Sequence, residues 1–238
     1  MEDDRTPRFP KLLSAELLRT LRIKKGILLF AAQYENKPIP SENQKFKLEA
    51  MHTVAKEELD IEKAEAYGFC DPGLGVTDFS AIVTILKYGH SWIVFHADMS
   101  LAADSELIDL IINHHALFHY VSFGIEANSL GTAKRDPGYC NFELVLRARQ
   151  AEKGVTVPYK LVWHTAPKLA RINSIEPFYS NGQLQFLSSW NHDYPELIKQ
   201  LVQYPLADHD DGPDALAGCV RLIQDVEQTG TVLIPRAR

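Results

Sequence analysis

Long apolar runs are missing from this sequence. A typical one, Ile27–Ala32, is far shorter than the roughly 18–20 residues that a membrane-spanning helix needs, so no membrane partner is expected. Cysteine is scarce. Cys70, Cys140 and Cys219 are widely spaced, odd in number and form no CxxC pair, which excludes a disulfide framework and a cysteine zinc site. A reducing cytoplasm is the default compartment for such a chain. An excess of basic residues is also absent: 25 Lys and Arg stand against 31 Asp and Glu, a net charge of −6. That excludes a passive polybasic coat for nucleic acid. It leaves open an enzyme that meets DNA through metal ions and a local basic patch. Met1–Asp4 is acidic where a secretory signal would be basic, so none is expected.

What is present is an ordinary globular composition. The 238 residues are 45% hydrophobic and 24% charged, enough to bury a core without staples. Residues 1–65 read as an extension. Ser14 can cap a helix bearing Leu17, Leu18 and Leu21, and a proline-broken stretch follows at Lys37–Pro40. From residue 66 to 238 the pattern is regular. Ala66–Cys70 reads as a buried strand, and Ala81–Leu86 and Trp92–Ala97 as a hairpin turning at Gly89-His90. A helix is predicted over 105–120, a strand over 121–125, a helix over 142–153 and a strand over 159–163. Residues 175–186, with Ser180-Asn181-Gly182 at the tip, read as an inserted β-hairpin, and Pro213–Val226 as the last helix. The sum is an α/β fold: an antiparallel meander followed by parallel strands, with helices on both faces.

Acids fall at the ends of these elements. Asp71 follows the first strand and Glu126 the fourth, while Asp208, Asp210, Asp211 and Asp214 crowd the start of the last helix. If the first and fourth strands are neighbours, Asp71 and Glu126 lie side by side. Clustered carboxylates repel one another, and a hard divalent cation is the usual relief. Two such ions can serve phosphodiester hydrolysis. Taken singly, each motif is also ordinary turn or capping chemistry: Asp-Pro-Gly forms turns, and Asp210 or Asp211 can cap a helix.

In the order in which they occur, these residues resemble the nuclease portion of the large terminase subunit of tailed bacteriophages. The resemblance rests on Asp71, on Gly75-Val76-Thr77-Asp78-Phe79-Ser80-Ala81-Ile82-Val83, on Glu126, and on His209-Asp210-Asp211 with Asp214-Ala215-Leu216. Pro167-Lys168, Arg171-Ile172, Pro177 and Gly182 add to it, as does Phe9–Pro38, which is similar to the segment joining the packaging ATPase to the nuclease. The resemblance spans roughly residues 8–220. It implies a ribonuclease-H-like fold and a metal-dependent endonuclease that cuts concatemeric viral DNA during packaging. Its cofactor would be magnesium or manganese, as two ions. Asp71, Glu126, Asp211 and Asp210 would be the catalytic, metal-holding residues, with Asp78, Asp214 and His209 as second-rank candidates. Double-stranded DNA would be the substrate, in the cytoplasm of an infected bacterial host. The ATPase domain, the small terminase subunit and the capsid portal would be partners in the full machine. No GxxxxGK[ST] phosphate loop occurs in this sequence, so translocation is not expected of it. The rivals are another ribonuclease-H-like nuclease of resolvase or integrase type, and a non-catalytic module that docks on DNA or the portal.

Lys134, Arg135, Lys168 and Arg171 could reach DNA phosphates as a cationic rim, or sit in solvated loops. His114, His115 and His119 share the first long helix. His115 and His119 have a spacing that zinc uses, but no third ligand is apparent, so exposed or interfacial histidines are expected.

Overall fold

A computed structural model describes residues 11–25, 30, 34, 44–73, 79–101, 104–128 and 141–229. The chain divides into two compact units, Met1–Gln44 and Lys45–Arg238. In the first, helix α1 (Ala15–Lys25) starts with the Leu17 amide donating to Ser14 Oγ at 3.2 Å, the cap expected there.

The second unit is built on one seven-stranded sheet. Its strands are β1 (Thr53–Val54), β2 (Glu65–Asp71), β3 (Ser80–Tyr88), β4 (Ser91–Ser100), β5 (Ser122–Glu126), β6 (Tyr159–Val162) and β7 (Leu184–Leu187). Their spatial order is β1-β7-β4-β3-β2-β5-β6. The antiparallel meander is β2–β3–β4, turned at Gly89 with φ +58, a conformation glycine adopts freely. β5 and β6 then add in parallel beside β2, and β7 and β1 in parallel beside β4. Because β1 belongs to this sheet, residues from Lys45 onward pack with it. Phe46 is fully buried against Tyr179 at 5.4 Å, and Tyr179 donates to the Lys47 carbonyl at 2.7 Å.

Helices cover both faces. α2 (Asp104–Phe118) buries Leu107, Ile108, Ile111 and Ile112 of the stripe its periodicity predicts, while Leu117, also in that pattern, is exposed near the helix end. It ends at His119, whose φ of 50 turns the chain toward β5. Tyr120, just beyond, shares a 2.7 Å hydrogen bond with Thr84 of β3 and so closes this face. α3 (Asn141–Lys153) packs beside α2. On the other face α8 (Asp211–Thr229) lies across β2, β3 and β5, burying Leu216, Cys219, Val220 and Ile223. Between β6 and α8 come the short helices α4 (Lys168–Asn173), α5 (Glu176–Ser180) and α6 (Trp190–Asp193), then α7 (Pro195–Gln203). Among the described residues no helix is long and apolar enough to cross a membrane.

The inserted hairpin over 175–186 does not form. Glu176–Ser180 is α5 instead, with Pro177 in its first turn. Proline has no N–H for a strand ladder, and its fixed φ suits a helix start. The Asn181-Gly182 turn, with Gly182 at φ +77, directs the chain into β7, which pairs in parallel with the distant β4. Phe178 then packs its ring, tilted by 36°, against Trp92 at 4.9 Å.

Candidate metal centre

The site begins with strand register. β2 and β5 pair in parallel with Gly68 opposite Phe123, Phe69 opposite Gly124 and Cys70 opposite Ile125. In each of the first two rows an aromatic ring lies over a glycine. A Cβ on Gly124 would stand 2.4 Å from the Phe69 ring, and one on Gly68 would stand 2.4 Å from the Phe123 ring. Such reciprocal packing admits one alignment of the strands. The next row out holds Asp71 and Glu126 at the two strand ends, on the face that carries Phe69 and Gly124.

α8 supplies the third acid. Gly218 presses on Phe69 so closely that a Cβ there would come within 2.5 Å of the ring. One turn earlier, this close approach sets Asp214 over the strand ends. At the helix start the Gly212 amide donates to Gln200 Oε1 at 2.9 Å, and the Asp214 amide donates to the Asp210 carbonyl at 3.0 Å. Carboxylate oxygens of Asp71, Glu126 and Asp214 lie within 4.8 Å of one another. Glu126 and Asp214 are buried, at 7% and 2% exposure. Burial, reinforced by Glu126 and Asp214, pushes Asp71 up to about 8. Burial also raises Glu126, against the pull of Arg171 and with the push of Asp214.

Two cations answer this charge, both from α4. The Arg171 guanidinium forks onto Asp214, with Nε donating to Oδ1 at 2.9 Å and Nη2 to Oδ2, while Nη2 stands 3.6 Å from Glu126 Oε2. Lys168 Nζ is 2.7 Å from Asp210 Oδ1, 3.1 Å from Asp211 Oδ1 and 3.8 Å from Asp214 Oδ2. Burial works against the Lys168 ammonium, but Asp210, Asp211 and Asp214 together hold its pKa above the usual lysine value. The five acids Asp71, Glu126, Asp210, Asp211 and Asp214 still outnumber these two bases. The inner three have only oxygen donors to offer, which is the ligand chemistry of magnesium and manganese.

Of the residues singled out from sequence, the structure gathers Asp71, Glu126 and Asp214 at the centre. It sets Asp211 and Asp210 on the same helix start, bound to Lys168. Asp211 lies close enough to add to the upward push on Asp71. His209 flanks them, its Nδ1 3.9 Å from Asp211 Oδ2 and its ring edge-on to Phe79 at 5.0 Å. Lys168 and Arg171 stand among the acids. Asp78, Lys134 and Arg135 lie outside the described residues.

His164 escaped the sequence reading. Its Nε2 is 3.8 Å from Glu126 Oε2, is buried and has no hydrogen-bond partner among the described residues. Burial, with help from Arg171, lowers its pKa and keeps the ring neutral. The loops after β5 and β6 fix it through a two-way clasp. The His164 amide donates to Asn128 Oδ1 at 2.7 Å, and Asn128 Nδ2 donates to the His164 carbonyl at 2.9 Å. The signal was available: Val162 pairs with Glu126, and a residue two further on shares that face.

No protein-family model and no curated protein sequence matches the chain. Solved structures do match it. The human cytomegalovirus terminase nuclease domain soaked with manganese has a TM-score of 0.56 at 11% identity, covering 77% of this chain and 98% of that one. The large terminase of a thermophilic bacteriophage has a TM-score of 0.53 at 14% identity, covering 90% of this chain and 54% of that one. The large terminase nuclease of a second thermophilic phage, with bound magnesium, has a TM-score of 0.52 at 13% identity, covering 76% and 98%. What is shared at such identities is the fold, the ribonuclease-H-like mixed sheet of terminase nuclease domains. In this chain that fold carries an acid cluster able to hold a divalent metal.

Proposed function

We propose that this chain is a divalent-metal-dependent DNA endonuclease that cuts concatemeric viral DNA during genome packaging. One observation carries the reading: Asp71, Glu126 and Asp214, from two strand ends and a helix start, converge within 4.8 Å. The likeness of fold to terminase nucleases solved with manganese and magnesium supports it.

Asp71, Glu126 and Asp214 would hold one ion, and Asp71 with Asp211 are the candidates for a second. Bound ions would lower the pKa of a coordinated water and stabilise charge on the phosphorus oxygens. The chain's own residues prepare the site. Arg171 orients Asp214 and restrains Glu126 through one guanidinium. Lys168 draws Asp210 and Asp211 together and offsets the push of Asp211 on Asp71. His164, its pKa lowered by burial, packs its buried Nε2 3.8 Å from Glu126 Oε2 and helps to fix that carboxylate. The substrate would be double-stranded DNA. A net charge of −6 makes its approach depend on counter-charge at this site. The wider setting would be the packaging machine of an infected bacterial cell, with an ATPase domain, a small terminase subunit and the capsid portal as partners.

Incubation with supercoiled plasmid tests the reading. Nicked and linear products are expected with manganese, and none with EDTA, although the chain stays folded. Cutting that persists in EDTA contradicts it.

A further inference from the structure

A second cluster lies on the opposite face of the sheet. Along β4 the side chains alternate, so His96 and Asp98 share the face covered by α2. Asp98 pairs with Ile82, which pairs with Cys70; the adjoining row, Asp71–Ala81–Met99, faces α8. α2 brings His114 down onto the two β4 side chains. Its sequence neighbours suggested an exposed or interfacial residue, but His114 is buried at 6% exposure.

The three side chains point at one spot. Asp98 Oδ2 is 3.0 Å from His114 Nε2 and 3.3 Å from His96 Nε2, and all three donor atoms lie within 4.8 Å of one another. With metal–ligand bonds of about 2.0–2.1 Å, neighbouring corners of a tetrahedral zinc site are about 3.3 Å apart. Two of the three edges already have nearly that length. The rings of His96 and His114 stand edge to face at 4.8 Å, and Phe118 packs against both at 6.0 Å, which fixes their aim. Side chains of His96 and Asp98 remain about one-third exposed, at 34% and 33%, so a fourth position opens to water. The contrast with the acid centre is chemical. There Lys168 and Arg171 answer the carboxylates; here the two imidazoles are the only ion-pair partners of Asp98 among the described residues.

We infer that His96, Asp98 and His114 form a second metal site, one that takes a borderline transition-metal ion of the zinc class. Two imidazoles and one carboxylate suit zinc or cobalt and do not suit magnesium, which prefers oxygen. A bound ion would join β4 to α2 and stabilise the folded chain by mass action.

The test is a cobalt titration of the full chain, stripped of metal and held in excess magnesium. It is run on wild type, Asp71→Asn, His96→Ala and His114→Gln, with circular dichroism to confirm folding. Wild type and Asp71→Asn should each bind one cobalt with the visible absorption of an imidazole-ligated ion, and zinc should displace it. His96→Ala should bind at least about tenfold more weakly. Because His96 is partly exposed, that variant should fold even if His114→Gln does not. Absence of the absorption in wild type, its loss in Asp71→Asn, or unchanged affinity in folded His96→Ala overturns the proposal.

Discussion

Asp71 is held at a cost. Its carboxyl, ordinarily near 3.8, is pushed up to about 8 by burial and by Glu126 and Asp214. Between those values the folded chain keeps a proton that the unfolded chain has released, so stability without metal falls as pH rises through that window. Asparagine cannot ionise. In EDTA, Asp71→Asn should therefore melt above wild type near pH 8, and the gap should shrink toward about pH 5, where wild type also carries the proton. Each kcal/mol of difference should appear as about 2–4 °C in Tm. Parallel pH profiles for the two proteins would show that Asp71 titrates normally. Arg171 makes the opposite contribution, because Asp214 is only 2% exposed and depends on its fork. Arg171→Met should cost about 3 kcal/mol in EDTA, read by urea unfolding, since it strands a buried charge. Manganese should narrow that loss by supplying the missing positive charge. A loss below about 1 kcal/mol would place Asp214 in better contact with solvent than its burial indicates.

Elements with one-sided periodicity were legible in the sequence. The meander β2–β4, the apolar stripe of α2 and the start of α8 all show in local pattern; the adjacency of Asp71 and Glu126 hung on their two strands being neighbours, which the parallel β2–β5 pairing supplies. What was not legible depended on partners far along the chain. Asn181-Gly182 is strong hairpin chemistry, yet the strand that β7 joins is β4, and no local signal names it. The acid nearest the strand ends was equally a matter of helix phase. Asp210 and Asp211 precede the first turn's inward face, whereas Asp214, beside buried Ala215 and Leu216, points at the sheet. That phase is set where α8 touches β2. Gly218→Ala would thrust a methyl into Phe69, an overpacking that costs about 1–3 kcal/mol, and should lift Asp214 away from the strand ends. Cleavage should fall with stability, and adding Phe69→Leu should restore part of both, since the two sites share one contact. Equal activity of Gly218→Ala and wild type would detach the helix approach from the site.

At the scale of the whole molecule, the sheet separates two chemistries. The α8 face gathers oxygen donors at the ends of β2 and β5, and the α2 face gathers imidazoles around Asp98. The acid centre stands where three elements meet, so no one of them carries it alone. The core should keep the fold when its acids are altered, because Phe69, Phe123, Leu216 and Ile223 are buried apart from the carboxylates. The central claim, that the Asp71–Glu126–Asp214 cluster is a metal-dependent DNA-cleaving centre, is met most directly by one rate. That rate is the initial cleavage of supercoiled plasmid in manganese by folded Asp71→Asn, measured beside wild type. The account predicts a rate no higher than the metal-free background; a rate near that of wild type would contradict it.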